Sequence, residues 1–227
     1  MLSQPVESKI NQILNAFETG VKDGDYGQVC ICDDDETKLR ADKKQITFGS
    51  KQTTESGALK VLIQMYVNTK GAKYAAYFKQ KLSLIGRKSL VDDKTFISML
   101  KKSGSDPAMV IAQDLFFDIQ YGQRARDFFK KNEFTLPLSY AVIFDSIIHS
   151  GQIRDDIRMM FTQVPPSKGG DEKAWIKAYV NARRKWLTER QNPKLRKTVY
   201  RMGAFLDAVA NDNWLLDKPF NANGAII

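Results

Sequence analysis

The sequence predicts a mainly α chain of the α+β class, with one small β-hairpin near its N-terminus. Three observations carry this. Apolar residues recur at helical spacing along most of the 227 positions. Strand character is confined to about residues 26–49. A composition of 43% hydrophobic and 27% charged residues is that of a globular chain long enough to bury a substantial core.

The first element is a helix over 6–19, where Ile10, Ile13, Leu14 and Phe17 share a face and Gly20 offers a stop. Strand segments follow at Gln28–Cys32 and Gln45–Phe48, separated by the charged turn Asp33-Asp34-Asp35-Glu36. The periodicity then gives helices at 55–68, 71–85, 92–102, 107–130, 138–149, 153–161, 172–190 and 197–210. Ser139, after Pro137, reads as the N-cap of one helix, and Asp171, after Gly169-Gly170, as that of another. The run Pro165–Gly170 is the best internal boundary, although it is short for a linker. No internal repeat and no low-complexity segment is present.

A net charge of +9 points to an anionic partner such as nucleic acid, a membrane surface or an acidic polymer, with a basic surface kept for solubility as the plain alternative. The 35 lysines and arginines are spread along the chain without a helix-turn-helix, zinc-finger or RNP pattern, which argues against a nucleic-acid-binding domain without removing that reading. P-loop, dinucleotide and nucleophile-elbow patterns are absent. Cys30 and Cys32 supply too few ligands for zinc and stand too close for an easy bridge, so they read as small buried hydrophobes in a protein made in a reducing compartment. The N-terminus lacks the apolar segment of a signal peptide and no run is long enough to span a membrane, so synthesis in the cytoplasm is expected. No metal or cofactor is expected. The Asp33–Glu36 cluster lacks the spacing and central glycine of an EF-hand and reads as a solvated turn.

Two carboxylates bracket the strand region. Glu18 closes the first helix beside Phe17, and Asp42 lies five positions ahead of Thr47. Such a pair suits glycosidic chemistry of the lysozyme type, in which one protonated carboxyl donates to the leaving oxygen and one ionised carboxylate activates water. Three further charges sit in apolar company: Asp145 in Tyr140–Ile148, Arg183 on the face of Tyr179, Val180, Trp186 and Leu187, and Arg201 beside the face of Val199, Met202, Phe205 and Val209. A buried charge without a partner costs several kcal/mol, so the three are expected to meet in a chain ending near Glu18, the alternative being that the arginines snorkel to the surface. His149 reads as a helix C-terminal partner, and Trp175, Trp186 and Trp214 as core or cleft wall.

Several of these stretches together resemble glycoside hydrolase family 46 chitosanases, and still more the related lysozyme-like enzymes of phages and bacterial secretion systems. They are Phe17-Glu18-Thr19-Gly20, Asp42 with Thr47–Thr54, Tyr140–Gly151, Gly169-Gly170-Asp171-Glu172 with Tyr179 and Ala182-Arg183, Val199-Tyr200-Arg201, and Asn213–Leu216. The resemblance implies a two-lobed lysozyme-superfamily fold with the substrate cleft between lobes: one catalytic domain over 1–227, with an N-terminal lobe at 1–68 carrying both carboxylates and a helical lobe at 69–227. It implies Glu18 as general acid, Asp42 as general base through a water, and Thr47 as a holder of that water. Tyr26, Gly49, Gln52, Thr54, Asp145, His149, Asp171, Arg183 and Arg201 are the candidate binding or supporting residues. The sequence departs from the family in Ala41-Asp42-Lys43-Lys44, which replaces a glycine-rich turn, and in the Asp33–Glu36 insertion, whose acids are rival second carboxylates. The Ser150-Gly151 turn also lacks the proline associated with chitosanases.

Chitosan is a polycation and suits an acidic site, whereas peptidoglycan carries carboxylates and suits a protein at +9. The sequence alone therefore favours an inverting peptidoglycan muramidase, a monomer acting in phage lysis or as an antibacterial effector. Such an enzyme would be released by holins or a secretion machine, with an immunity or inhibitor protein as a candidate partner. Chitosanase activity is the alternative, and a basic nucleic-acid-binding module the second.

Overall fold

The computed structural model describes residues 2–33 and 38–227. Asp34, Asp35 and Glu36, three of the rival carboxylates, lie outside the described residues. The chain divides into two compact units, Met1–Asp23 with Ile119–Ile227, and Gly24–Asp118. This division differs from the lobe boundary expected after residue 68. The first helix joins the C-terminal helices because its apolar stripe needs their core, so Glu18 and Asp42 belong to different units. The run at 165–170 falls inside the first unit.

The chain opens with α1 (Gln4–Thr19), which buries Ile10, Ile13, Leu14, Ala16 and Phe17 in the first unit. It stops where Gly20 takes a left-handed φ of 78° and its N–H caps the Ala16 carbonyl.

The second unit follows. Its sheet is an antiparallel meander of β1 (Val29–Asp33), β2 (Lys44–Phe48) and β3 (Thr53–Thr54). The register pairs Cys30 with Thr47 and Cys32 with Gln45, and Thr47 in turn with Thr54, so these side chains share one face. Helices α2 (Leu59–Asn68), α3 (Ala75–Lys81), α4 (Lys94–Ser103) and α5 (Pro107–Phe117) complete the unit. Tyr66, Phe78 and Phe96 pack edge to face in its interior.

The expected helix 107–130 is two helices: a π-helical turn at Asp118–Gly122 separates α5 from α6 (Gln123–Lys131). In the first unit α7 (Pro137–Ser150) is the central helix, and every residue from Pro137 to Ile147 is buried. That full burial is why its sequence is apolar almost all round. Pro137 takes its first position, so Ser139 is not the cap; its hydroxyl is buried with no hydrogen-bond partner among the described residues. After the short α8 (Asp155–Arg158), Asp171 does cap α9 (Glu172–Thr188), its carboxylate accepting from the Ala174 N–H at 2.6 Å. The segment expected at 197–210 is α10 (Pro193–Lys197) and α11 (Tyr200–Ala210). A hairpin of β4 (Asn221–Ala222) and β5 (Ala225–Ile226) ends the chain, turning through Asn223 and Gly224 at φ of 55° and 91°. None of the described helices is long and apolar enough to cross a membrane.

Candidate active site

Glu18 stands one residue past Phe17, at the edge of the buried stripe of α1. Its side chain is therefore 17% exposed, while the helix end beneath it is fixed. Three groups do the fixing. Arg201 Nη1 donates to Glu18 Oε1 at 2.8 Å, Arg201 Nη2 donates to the Phe17 carbonyl at 3.1 Å, and the Tyr200 hydroxyl donates to the same carbonyl at 2.9 Å. The Arg201 guanidinium also lies over the Phe17 ring.

The chain of charges continues inward. Arg201 Nη1 donates to Asp145 Oδ1 at 3.0 Å, and Arg183 Nη1 donates to Asp145 Oδ2 at 2.5 Å and to Ser146 Oγ at 3.0 Å. Asp145 and Arg183 have no exposed side-chain surface. Burial alone would raise the Asp145 carboxyl, but the two guanidiniums outweigh it and hold it below its ordinary value. Neither arginine snorkels; the sequence expectation of a chain from Arg183 to Glu18 describes the geometry. His149, half-buried one turn beyond Asp145, is pushed down to about 4 by burial and by the nearby positive charges. It is neutral at ordinary pH and does not act as a helix-terminal cation.

The second unit carries the other candidates. The loop ahead of β2 presents Asp42, whose carboxylate receives a two-pronged hydrogen bond from Arg40, Nε to Oδ1 at 2.8 Å and Nη2 to Oδ2 at 2.9 Å. That bond holds the Asp42 carboxyl down to about 2, so it is ionised throughout the working range of an enzyme. Arg40 also pairs with Asp92. Thr47, on β2 and largely buried, donates its hydroxyl to Gln52 Oε1 at 2.7 Å, and Gly49 turns the chain between them at a φ of 84°. Thr54 pairs with Thr47 across the sheet, and the Tyr26 hydroxyl donates to Asp114 Oδ1 at 2.8 Å. Asp33, the one rival carboxylate among the described residues, ends β1 opposite Lys44. Asp171 is the α9 cap described above.

Two features escaped the sequence reading. Cys30 and Cys32 are joined by a disulfide, with Cα atoms 5.7 Å apart, and both are half-buried. The expectation of free buried thiols is corrected: residues two apart on one strand face fall within the ordinary Cα span of a disulfide. Glu55 is a fully buried carboxylate that accepts the Leu90 and Ile46 N–H groups. Desolvation raises its pKa, and its sealed, backbone-bonded position makes it a structural group. The described residues hold no cluster of acidic, histidine or cysteine side chains that could bind a metal ion.

A mostly helical chain with a small three-stranded antiparallel sheet, and a carboxylate anchored at a helix end by a buried ion chain, has the α+β character of a lysozyme-like glycoside hydrolase. The chain belongs to glycosyl hydrolase family 46, whose sequence profile matches residues 40–220. Among solved structures it is similar to native chitosanase from Bacillus subtilis MY002, at 23% identity and a TM-score of 0.78, with 100% of each chain covered. A mutant of that enzyme complexed with 6 GlcN superposes at a TM-score of 0.79 and 22% identity, again over 100% of both chains. The family 46 chitosanase of Gynuella sunshinyii, in complex with chitotetraose, gives a TM-score of 0.78 at 18% identity, covering 100% of this chain and 98% of its own. No curated protein sequence matches it.

Proposed function

We propose that this glycoside hydrolase is a chitosanase that cleaves β-1,4-linked glucosamine polymers by single displacement with inversion. Glu18 protonates the leaving oxygen, Asp42 deprotonates the attacking water, and Thr47 holds that water. The observation that carries the proposal is the Glu18–Arg201–Asp145–Arg183 chain inside a family 46 enzyme. It spends three buried charges on setting one accessible carboxyl at a helix end. Of the two carboxyls, Asp42 is held ionised by Arg40, the state that glycoside hydrolysis requires of its base, and Glu18 is held in place by Arg201.

This reading replaces the muramidase expected from net charge. Net charge governs long-range attraction and not the field at a site, and the ligands of the similar structures are glucosamine oligomers. The net charge of +9 remains the specific observation that keeps peptidoglycan in the test.

The test is to incubate the protein separately with soluble chitosan, purified peptidoglycan and DNA. Reducing-end release from chitosan, absent in Glu18→Gln and strongly reduced in Asp42→Asn, is the expected result, with the α-anomer as first product. Turnover of peptidoglycan alone would move the substrate to cell wall. Salt-sensitive DNA retention without glycan turnover would overturn the enzymatic reading. Wild-type turnover in Asp42→Asn would pass the base role to Asp33–Glu36.

A further inference from the structure

The side chain of Gln52 has a job that neither the family match nor the proposed mechanism assigns. Its backbone is left-handed, with φ at 52°, and its side chain folds back over the turn that joins β2 to β3. Nε2 donates to the Gly49 carbonyl at 2.9 Å, and Oε1 lies 2.7 Å from Thr47 Oγ1. A carbonyl oxygen can only accept. The amide nitrogen of Gln52 must therefore face Gly49, which leaves its oxygen for Thr47, and the Thr47 hydroxyl must be the donor. The remaining neighbours of Thr47 Oγ1 agree. The Cys30 carbonyl at 3.4 Å is an acceptor, and Cys32 Sγ at 4.0 Å belongs to a disulfide and has no hydrogen to give.

The turn itself is braced from α5. Gln113 is fully buried; its Oε1 accepts the Ser50 N–H at 3.0 Å, and its Nε2 donates to the Tyr26 carbonyl at 2.8 Å. It packs so tightly over Gly49 that a Cβ there would sit 2.4 Å from Gln113 Oε1. The Gly49–Ser50 part of the turn, whose Gly49 carbonyl holds the Gln52 amide, is thus anchored to a buried glutamine.

We propose that Gln52 is a positioning residue for the attacking water: by taking the only hydroxyl proton of Thr47, it makes Thr47 a pure hydrogen-bond acceptor. This rests on the reading that Thr47 holds that water. A water shared by Asp42 and Thr47 then meets two acceptors and directs one hydrogen to each. Its lone pairs are left pointing away from both, available to the anomeric carbon. As the oxygen–carbon bond forms, the hydrogen on Asp42 transfers there, the glycosidic carbon–oxygen bond breaks, and the leaving oxygen takes the proton of Glu18. A Thr47 free to donate would turn a water lone pair toward itself and lower the share of attacking orientations.

The experiment is a double-mutant cycle on soluble chitosan, using Gln52→Met, Thr47→Val and the double variant, with Gln52→Ala as the second choice should the methionine variant not fold. Gln52→Met removes both side-chain hydrogen bonds at nearly constant volume. It is expected to lower kcat about three- to tenfold, the worth of one hydrogen bond, with KM within about twofold. Thr47→Val is expected to cost at least as much, Thr47→Ser to keep most of kcat, and the double variant to match Thr47→Val alone. Multiplying defects, or a loss confined to KM or to thermal stability, would overturn the role of Gln52 while leaving Thr47 in place. Full kcat in Thr47→Val would overturn the reading of Thr47 as well, and retained loss in Asp42→Asn would show that the acid/base pair survives it.

Discussion

Asp145→Asn tests whether the buried charges of the first unit act as one object. The substitution keeps the shape and removes one negative charge from between two guanidiniums. Asp145 accepts from Arg183 at 2.5 Å and from Arg201 at 3.0 Å, and the three side chains are 0%, 0% and 5% exposed. Arg183 has no other ion-pair partner, and its Nε and Nη2 have no hydrogen-bond partner among the described residues. An asparagine can offer only one oxygen, so its amide nitrogen must face one of the guanidiniums. Breaking a buried pair in this way costs about 3–5 kcal/mol, because an uncompensated charge is left inside. With a urea slope of about 2 kcal/mol/M, the unfolding midpoint should fall by roughly 1.5–2.5 M. Tryptophan fluorescence is the suitable probe, since all three tryptophans, Trp175, Trp186 and Trp214, lie in the first unit and report its unfolding alone. The double variant Asp145→Asn/Arg183→Met, which removes the stranded cation, should recover at least half of the loss. A midpoint within about 0.3 M of wild type for Asp145→Asn would refute the argument, as would a double variant that is worse than the single one.

Three further outcomes follow from the same geometry. His149 is the only histidine in the chain, so its imidazole resonances should titrate alone, with a midpoint near 4. Because the folded value lies below the ordinary 6.5, the unfolded chain binds the extra proton first as pH falls. Stability should therefore drop by up to about 3 kcal/mol between pH 6.5 and 4, and that slope should flatten in His149→Gln. Arg40→Ala removes the two-pronged bond to Asp42, so the Asp42 carboxyl should move up from about 2 toward its ordinary value and the acid limb of the activity profile should shift to higher pH with it. An unmoved acid limb would separate Asp42 from the rate. The native protein should show no reactive thiol until it is reduced, and Cys30→Ser should cost only about 1–2 kcal/mol, since a bridge between residues two apart closes a very short loop.

Legibility in the sequence differed from element to element for physical reasons. The stripe of α1 is periodic, and the position of Glu18 one residue past Phe17 follows from that period, so the acid at a helix end could be read directly. Asp145 and the two arginines could be read because charge in an all-apolar context has few solutions. The break at Asp118–Gly122 could not, because a π-helical turn keeps helical side-chain chemistry and changes only the backbone bonding. Ser139 misled because capping chemistry is local, whereas Pro137 fixes the helix start two residues earlier. The Asn223-Gly224 turn was a legible hairpin signal that the strand pattern around it was too short to support.

Periodicity, and the rarity of charges among apolar residues, were enough for the sequence alone to determine a helical α+β chain, the place of Glu18 at a helix end and the existence of a buried ion chain. Tertiary structure alone decided that α1 leaves its sequence neighbours for the C-terminal helices, that Cys30 and Cys32 close on each other, that Arg40 grips Asp42, and that Gln52 takes the Thr47 proton. The first group depends on how each segment divides its own residues between core and water. The second depends on which partner a side chain meets, and contacts such as the one between Ser50 and Gln113, 63 positions apart, leave no periodic trace in the chain.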